Sequence, residues 1–228
     1  MNLEVNGILV AAHELKAPLA LMRQLALGLD PANPQLVETY QKKLVQVSER
    51  TLRQVNDLAR VARLEDGLFE MEPVAVRGVA EAVSSELTKL FNANSRTLNV
   101  KFTNRQRLAV ANHDLLYSII YNFCTNAIKY SSADTASRLV VKDYHQNIRI
   151  VVRDFGPALP SNIYSQLKSN ALNSPVDISF RPDSSGLGLY ISAQFAKFMR
   201  ARLGAVRHRD GTSFFLDLPV SQQGTLFA

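Results

Sequence analysis

The 228-residue chain has one cysteine, no tryptophan and no long apolar run. A single cysteine cannot form an internal disulfide, which excludes a small scaffold held together by disulfides. The best apolar stretch, residues 19–29, is interrupted by Arg23 and is shorter than the roughly 18 to 20 residues of a membrane span. The first residues lack the basic and then apolar pattern of a secretory signal. These absences predict a protein of the reducing cytoplasm, with no membrane contact from this segment.

Charge is unevenly distributed along the chain, and 46% of the residues are hydrophobic, which is enough to build two modest cores. Residues 1–66 hold 8 basic and 8 acidic side chains, whereas residues 67–228 hold 18 basic and 12 acidic ones. A basic field attracts nucleic acid or a phosphate-rich small ligand. Because no zinc-finger spacing, aromatic-basic RNP pattern or basic helix is found, we expect no nucleic-acid partner.

Two apolar stripes with helical spacing occupy residues 1–66. The first follows alternating steps of three and four residues, as one helix requires. Its members are Ile8, Ala12, Leu15, Leu19, Met22, Ala26 and Leu29. Pro31 and Pro34 then break the helix. The second stripe comprises Val37, Tyr40, Leu44, Val47, Thr51, Val55, Leu58 and Ala62. The pattern predicts an antiparallel helical hairpin.

A lone hairpin would leave much of each stripe in water, because each helix is apolar on one side only. Pairing two such hairpins in a four-helix bundle would bury that surface. The sequence therefore predicts a homodimer that forms through the hairpin.

From about residue 67 the helical pattern gives way to alternating strands and helices. Strand-like runs occupy residues 98–102, 108–110, 138–144 and 147–152, and helical runs occupy residues 78–91, 114–130 and 187–200. Asp210 and Gly211 form a predicted hairpin turn between two further strands. Residues 157–185 lack periodicity, so we expect a long loop there. The predicted fold class is α+β, with a helical hairpin at 1–66 and an α/β sandwich at 67–228.

A polar stripe lies on the helix predicted at residues 114–130. Asn122, Asn126, Lys129 and Tyr130 follow helical spacing and share one face, while the opposite face is apolar. Two asparagines and a lysine on a helix are more often a solvated surface than a binding site. A functional interpretation therefore needs further segments.

Two later segments have the chemistry of a site for a phosphate-bearing ligand. Asp154 and Gly156 follow a predicted strand, at a strand end where open sheets often hold ligands. Residues 184–189, Ser-Ser-Gly-Leu-Gly-Leu, open a predicted helix, whose exposed amides and positive dipole end favour phosphate. Alone, an Asp-x-Gly motif and a glycine-rich helix start are each weak signals.

Together and in this order, the three segments resemble the N, G1 and G2 boxes of the GHKL ATPase superfamily, which includes histidine kinases and type II topoisomerases. The resemblance implies a Bergerat-type α/β sandwich that binds ATP with Mg²⁺. In the matching N-box positions, Asn122 would hold the metal, Asn126 and Lys129 would bind the phosphates, and Tyr130 would lie against the adenine face.

The other boxes complete the implied nucleotide site. Asp154, followed by Gly156, matches the carboxylate that hydrogen-bonds the adenine amine. Residues 179–181, Ser-Phe-Arg, resemble the F box of the kinases, with Arg181 directed to the γ-phosphate. The implied site for the phosphate tail is the backbone of Gly186, Leu187, Gly188 and Leu189.

The first predicted helix carries Ala-His-Glu-Leu-Lys-Ala-Pro-Leu at residues 12–19, which resembles the H box of histidine kinases. A histidine on a helix is usually structural or merely solvated. His13, however, lies one residue past the apolar stripe and directly before Glu14. Pro18 has no amide to donate to the Glu14 carbonyl, so the helix should loosen next to the histidine.

The resemblances together imply the catalytic core of a sensor histidine kinase, an enzyme of two-component signal transduction. His13 is the implied phosphoacceptor, since an unperturbed imidazole with a pKa of ~6.5 is mostly neutral near pH 7 and can attack phosphorus. Glu14 is suited to orient the ring and to stabilise the developing imidazolium. The implied partner is a response-regulator receiver domain, whose aspartate accepts the phosphoryl group. An origin within the cytoplasmic part of a larger sensor stays open.

This chain departs from the family pattern at two positions. Ala17 stands where many members have Thr or Asn, a side chain thought to position water for dephosphorylating the regulator, so weak phosphatase activity is expected. Ala158 stands where the G1 box commonly has a second glycine, so nucleotide affinity is expected to be altered rather than lost.

Two other functions are consistent with these residues. One is a GHKL ATPase or serine kinase that does not use His13, and the other is a non-enzymatic scaffold that binds nucleotide or a regulator. The sequence leaves open the stimulus, the identity of the regulator, and whether phosphorylation occurs within one protomer or between two.

Overall fold

The structure is a computed structural model that describes residues 2–103, 107–132, 135–169 and 186–222, and of residues 2–14 it describes the backbone. The described part of the chain divides into two compact units, one formed by residues 2–63 with 186–191 and the other by residues 64–169 with 192–222. Within those ranges no helix combines the length and the apolar character that crossing a bilayer requires.

The first unit contains the predicted helical hairpin. Helix α1 spans Asn2–Leu27, helix α2 spans Pro34–Ala62, and the two helices pack against each other. Helix α1 continues through Pro18, although proline removes one hydrogen bond from the helix interior. The hairpin expected from the two apolar stripes is therefore confirmed.

Helix α2 begins where the sequence supplies a cap. The side-chain oxygen of Asn33 accepts a hydrogen bond from the amide of Leu36 at 3.1 Å, which satisfies one of the amides that lack a helical partner. Pro34 follows in the first turn, where a missing amide costs nothing. The same prolines that end α1 in the sequence thus mark the start of α2.

The second unit begins with a short 3₁₀ turn at Leu64–Asp66. The elements that follow are, in chain order, β1 (Glu72–Val74), α3 (Val76–Ala93), β2 (Thr97–Phe102), β3 (Ala109–Ala111), α4 (His113–Tyr130), β4 (Ala136–Tyr144), β5 (Asn147–Arg153), α5 (Ser161–Lys168), α6 (Leu187–Phe198), β6 (Arg202–His208) and β7 (Gly211–Pro219). Strands and helices alternate, which confirms the predicted α+β class.

Five of the strands form one mixed sheet in the order β2-β4-β5-β7-β6. Strand β2 runs parallel to β4, and the other neighbouring pairs are antiparallel. Strands β1 and β3 form a separate two-stranded antiparallel sheet. Helices α3 and α4 pack against the five-stranded sheet.

The core lies between these helices and one face of the sheet. In β5, the side chains of Ile148, Ile150 and Val152 are buried, and the residues between them are half-buried, which is the period-two pattern of a strand with one covered face. From α4, Phe123 meets Phe214 of β7 with ring centroids 5.6 Å apart. The face of the sheet that carries the alternate residues points away from this core.

One structural prediction is wrong in part. Residues 157–185 were expected to form one long loop, but Ser161–Lys168 form helix α5, in which Ile163 and Leu167 are buried one turn apart. Residues 170–185 lie outside the described part of the chain. The predicted strands at 98–102, 138–144 and 147–152 are confirmed as β2, β4 and β5.

Candidate functional site

The polar stripe predicted on α4 lies on the side of the helix away from its core contacts. Asn112 caps the helix by accepting a hydrogen bond from the amide of Leu115 at 3.1 Å. The buried face consists of Leu116, Ile119, Ile120, Phe123 and Ala127. Asn122, Asn126, Lys129 and Tyr130 are all half-buried.

Asn122 is oriented by a residue that the sequence did not suggest. Its Nδ2 donates a hydrogen bond to the Ser192 Oγ of α6 at 2.8 Å. The amide nitrogen of the side chain is thus directed at Ser192. The side-chain carbonyl oxygen, Oδ1, is the atom of Asn122 that can act as an acceptor. Ser192 belongs to no recognised motif, and the two residues are 70 positions apart in the sequence.

The last turn of α4 holds a cation beside an aromatic ring. The Lys129 Nζ is buried and lies 5.4 Å from the centroid of the Tyr130 ring. This distance is within the range in which an ammonium group is attracted to the face of an aromatic ring. The two predicted ligand residues are therefore positioned together.

Arg96 binds the carboxyl end of the same helix. Its Nη1 donates to the Ile128 carbonyl oxygen, and its Nε donates to the Ser132 carbonyl oxygen at 3.5 Å. A guanidinium group at this end satisfies carbonyls that lack a helical partner and complements the negative end of the helix dipole. Arg96 thus supports the turn that carries Lys129 and Tyr130.

The segment after β5 is joined directly to the end of α4. The Ser132 amide donates to the Phe155 carbonyl at 2.9 Å, and the Phe155 amide donates to the Ser131 Oγ at 3.1 Å. Gly156 approaches the backbone of Tyr130 so closely that a Cβ at position 156 would lie 2.7 Å from the Tyr130 carbonyl carbon. Only glycine allows this approach, which brings Tyr130 next to the Asp154 segment.

Asp154 is buried and held by backbone amides. Its Oδ1 accepts hydrogen bonds from the amides of Thr212 at 2.9 Å and Gly156 at 3.4 Å. Thr212, itself buried, also accepts a hydrogen bond at Oγ1 from the Leu159 amide at 3.3 Å. A Cβ on the preceding residue, Gly211, which has a φ of 140°, would lie 2.8 Å from the Asp154 Oδ1. The start of β7, at Gly211 and Thr212, therefore sets the position of the carboxylate.

The contribution of Gly211 and Thr212 was missed by sequence reasoning. The sequence predicts a hairpin turn at Asp210 and Gly211; the structure has the hairpin, but its turn residues are Arg209 and Asp210, and Gly211 is the first residue of β7. The available signal was a glycine followed by threonine in the last strand-like run. Local patterns could not connect it to a carboxylate 58 positions earlier.

The glycine-rich segment forms the start of α6. Gly186 is buried and has a φ of 66°, a left-handed conformation that favours glycine. Leu187, Gly188 and Leu189 form the first turn, with both leucines buried. Amides in a first turn have no helical acceptor, and the positive end of the dipole lies there. Arg181 lies outside the described residues.

The two candidate residues of the hairpin lie in α1. His13 and Glu14 belong to the part of that helix for which only the backbone is described. Their roles therefore remain predictions.

Residues 111–222 match the protein family described as histidine kinase-, DNA gyrase B- and HSP90-like ATPase. This range contains α4, the Asp154 segment, the glycine-rich start of α6 and the Thr212 strand. The resemblance to the three nucleotide boxes is confirmed at the level of the family.

Similarity to histidine kinases extends over almost the whole chain. The hybrid signal transduction histidine kinase K of Dictyostelium discoideum is 24% identical over 94% of this chain and 19% of its own length. The histidine protein kinase SaeS of Staphylococcus epidermidis is 24% identical over 91% of this chain and 61% of its own length. This chain thus spans less than two thirds of either relative. The expected resemblance to a histidine kinase catalytic core is confirmed.

Solved structures of histidine kinases share the fold of this chain over most of its length. The Acinetobacter baumannii histidine kinase AdeS has a TM-score of 0.66 at 18% identity, over 92% of this chain and 98% of that one. ShkA, solved at full length in complex with AMPPNP, has a TM-score of 0.63 at 19% identity, over 95% of this chain and 46% of that one. ThkA, solved in complex with the response regulator protein TrrA, has a TM-score of 0.64 at 16% identity, over 92% of this chain and 60% of that one.

The ATPase domain offers suitable chemistry for a nucleotide-bound metal rather than for a metal held by protein alone. Among the residues that the structure describes, no group of three or more His, Cys, Asp or Glu side chains is placed to hold an ion. Magnesium is commonly bound by one or two protein oxygens together with substrate phosphates and water. The amide oxygen of Asn122 is a ligand of this kind, so the residues present fit magnesium delivered with ATP.

Proposed function

We propose that this chain is the catalytic core of a protein histidine kinase, which autophosphorylates on His13 with ATP and Mg²⁺ and passes the phosphoryl group to an aspartate of a response regulator. The main support is the junction between α4 and the segment after β5, where Tyr130 meets Gly156 beside the buried Asp154. The similar proteins named above are histidine kinases, which supports the same enzyme class.

Nucleotide binding would use residues of the ATPase domain. Asp154, fixed by backbone amides, accepts a hydrogen bond from the adenine amine, and Tyr130 packs against the purine. Asn126 and Lys129 bind the phosphates. Magnesium neutralises charge on the phosphates when it is bound, and Asn122 supplies its protein ligand.

The phosphate tail would reach the start of α6. The amides of the first helical turn donate to phosphate oxygens, since they have no acceptor within the helix. The proposed residues are Gly186, Leu187, Gly188 and Leu189, together with Arg181.

Phosphoryl transfer requires the neutral form of His13. One ring nitrogen bonds to the γ-phosphorus while the bond from that phosphorus to the β–γ bridging oxygen breaks, and ADP leaves. Glu14 orients the ring and stabilises the positive charge that develops on it. The product is a phosphoramidate, from which an aspartate of the regulator takes the phosphoryl group.

Exposed apolar side chains on the hairpin support homodimerisation. Leu19, Val45 and Leu52 are each more than half exposed in the single chain, at 56%, 54% and 62%. Burying such side chains against a second hairpin would give a four-helix bundle. We place the boundary between the dimerising hairpin, residues 1–66, and the ATPase domain, residues 67–228, at Gly67, whose φ is 72°.

The response regulator is proposed as the protein partner. ThkA was solved in complex with such a protein, and its fold is shared over most of this chain. A cytoplasmic location and weak phosphatase activity, the latter because of Ala17, remain predictions.

The test is incubation of the full chain with γ-labelled ATP and magnesium, followed by measurement of acid-labile, alkali-stable phosphate. Wild type should become labelled, whereas His13→Gln should lose the label and keep nucleotide binding. Asn122→Ala should lose both the label and magnesium-dependent nucleotide binding. His113→Gln, which changes an exposed histidine at the start of α4, is the matched control and should label normally.

Two outcomes would contradict the proposal. Labelling of His13→Gln at the wild-type rate would indicate an ATPase or serine kinase that does not use this histidine. Nucleotide binding without any labelling of the wild-type chain would indicate a scaffold.

A further inference from the structure

One face of the five-stranded sheet is strongly basic. Residues of this face alternate with the buried core residues along each strand, and the pairing register places them side by side. We call it the basic sheet face, and its charged members are Lys101, Arg138, Lys142, Arg149, Arg153, Arg202 and Asp217. Six of these seven side chains are cations.

The cations are arranged against the usual rule for strand pairs. In the antiparallel register of β4 and β5, Arg138 lies directly opposite Arg153, and Lys142 lies directly opposite Arg149. Like charges in directly opposed positions destabilise a sheet. Two such pairs on the same face are therefore unfavourable unless other groups offset their charge.

Only part of this charge is neutralised within the unit. Arg149 forms two hydrogen bonds to Asp217, at 2.5 and 2.7 Å, and these raise the pKa of its guanidinium. Arg153 binds Asp210 at 2.6 Å. Among the described residues, no carboxylate partner is found for the remaining four cations, Lys101, Arg138, Lys142 and Arg202.

Three of these four cations form one cluster on the β2–β4 side. Arg138 and Lys142 are four residues apart on β4, which corresponds to about 13 Å. Lys101 lies on the neighbouring strand, opposite the residue midway between them. An extended peptide with acidic residues at alternate positions presents carboxylates about every 7 Å on one side, which matches this spacing.

The aromatic side chains of the face argue against a nucleic-acid ligand. The Arg149 guanidinium lies 3.4 Å from the centroid of the Tyr144 ring and 4.3 Å from that of Phe215, which Arg202 also approaches at 5.7 Å. Rings covered in this way are not open for stacking of bases, on which single-strand binding depends.

We propose that the basic sheet face is a docking surface for an acidic segment of a protein partner, which binds in extended form across Lys101, Arg138 and Lys142. The nucleotide site uses none of these residues, so the docking surface is independent of the proposed kinase activity. The cost of opposed like charges is then explained, because carboxylates of the partner separate and neutralise them.

The test measures binding of a fluorescein-labelled peptide of five Glu-Ser repeats to the full chain by anisotropy at low and physiological salt. The first variant carries Lys101→Gln, Arg138→Gln and Lys142→Gln. The matched control carries Lys89→Gln, Lys168→Gln and Lys197→Gln, which remove the same charge from exposed positions on α3, α5 and α6. Circular dichroism of both variants checks that they are folded.

The sheet-face variant should bind the peptide at least tenfold more weakly than wild type, and the control variant should change affinity less than twofold. The difference should shrink as salt increases, because exposed charges are screened. Equal losses in both variants would overturn the proposal, since net charge alone would then explain binding. If an oligothymidylate of ten nucleotides, or vesicles with 30% phosphatidylglycerol, bound more tightly than the peptide, that result would also overturn the proposal and assign the face to another ligand.

Discussion

Replacement of Gly156 by alanine tests whether the close contact between the Asp154 segment and α4 holds the proposed nucleotide site together. The added Cβ would lie 2.7 Å from the Tyr130 carbonyl carbon and 3.4 Å from the Ser131 amide nitrogen. Both neighbours are backbone atoms at the end of a packed helix, so neither can move as the end of a flexible side chain can. Gly156→Ala must therefore either keep the overlap or push the two segments apart.

Either response has a similar energetic cost. Overpacking of one methyl group in a rigid site costs about 1–3 kcal/mol. Separation of the segments would break the two hydrogen bonds that Phe155 forms with Ser131 and Ser132, each worth about 1 kcal/mol. We therefore expect the free energy of unfolding to fall by about 1–3 kcal/mol, and ATP affinity to fall roughly tenfold.

Gly78→Ala is the matched control. Gly78 lies in the first turn of α3, and a Cβ there would meet no atom within 4 Å. This change should leave stability unchanged or raise it by up to about 1 kcal/mol, because alanine favours helix. Urea unfolding and titration with a fluorescent ATP analogue measure the two quantities. If Gly156→Ala were as stable as Gly78→Ala and bound nucleotide normally, the proposed contact would be refuted.

Two further predictions concern α4. Burial raises the pKa of Cys124 from 9.0 to about 12, so the thiolate fraction at pH 8 falls from about 10% to about 0.01%. An aromatic disulfide reagent should therefore react at least a thousandfold more slowly with the native chain than with the chain unfolded in urea. Similar rates in both states would show that the thiol is not buried. Arg96→Gln removes two hydrogen bonds and a cation from the end of α4, so the free energy of unfolding should fall by about 1–2 kcal/mol. Arg96→Lys should have an intermediate stability. Equal stability of the wild type and both variants would contradict this role of Arg96.

Features that depend on local chemistry were predicted well from the sequence. Helix α4 was expected from residue 114 and begins at His113, because the capping Asn112 and the apolar period are both local signals. The polar residues on its outer side were identified by helical spacing alone. Their assignment to a nucleotide site rested on the order of the three boxes along the chain.

Features that depend on tertiary packing were not predicted. Helix α5 has only eight residues and several Ser, Asn and Gln side chains, and the burial of Ile163 and Leu167 becomes visible only in the folded unit. Ser192 and Thr212 contact Asn122 and Asp154 across 70 and 58 positions. No periodic pattern reports such distant pairs. The charge cluster on the sheet depends on strand register, because a one-residue shift would move its side chains to the other face.

The dependence of Asp154 on Thr212 has a consequence for synthesis of the chain. A ribosome delivers β5 well before β7, and β7 is the strand that pairs with β5 on the side away from β4. Until β7 emerges, β5 is an unprotected edge, open to pairing with other nascent chains. Over the same interval the Asp154 carboxylate, which we propose binds adenine, lacks the amide of Thr212. If ATP binds as proposed, it would therefore stabilise the domain only after β7 has paired with β5.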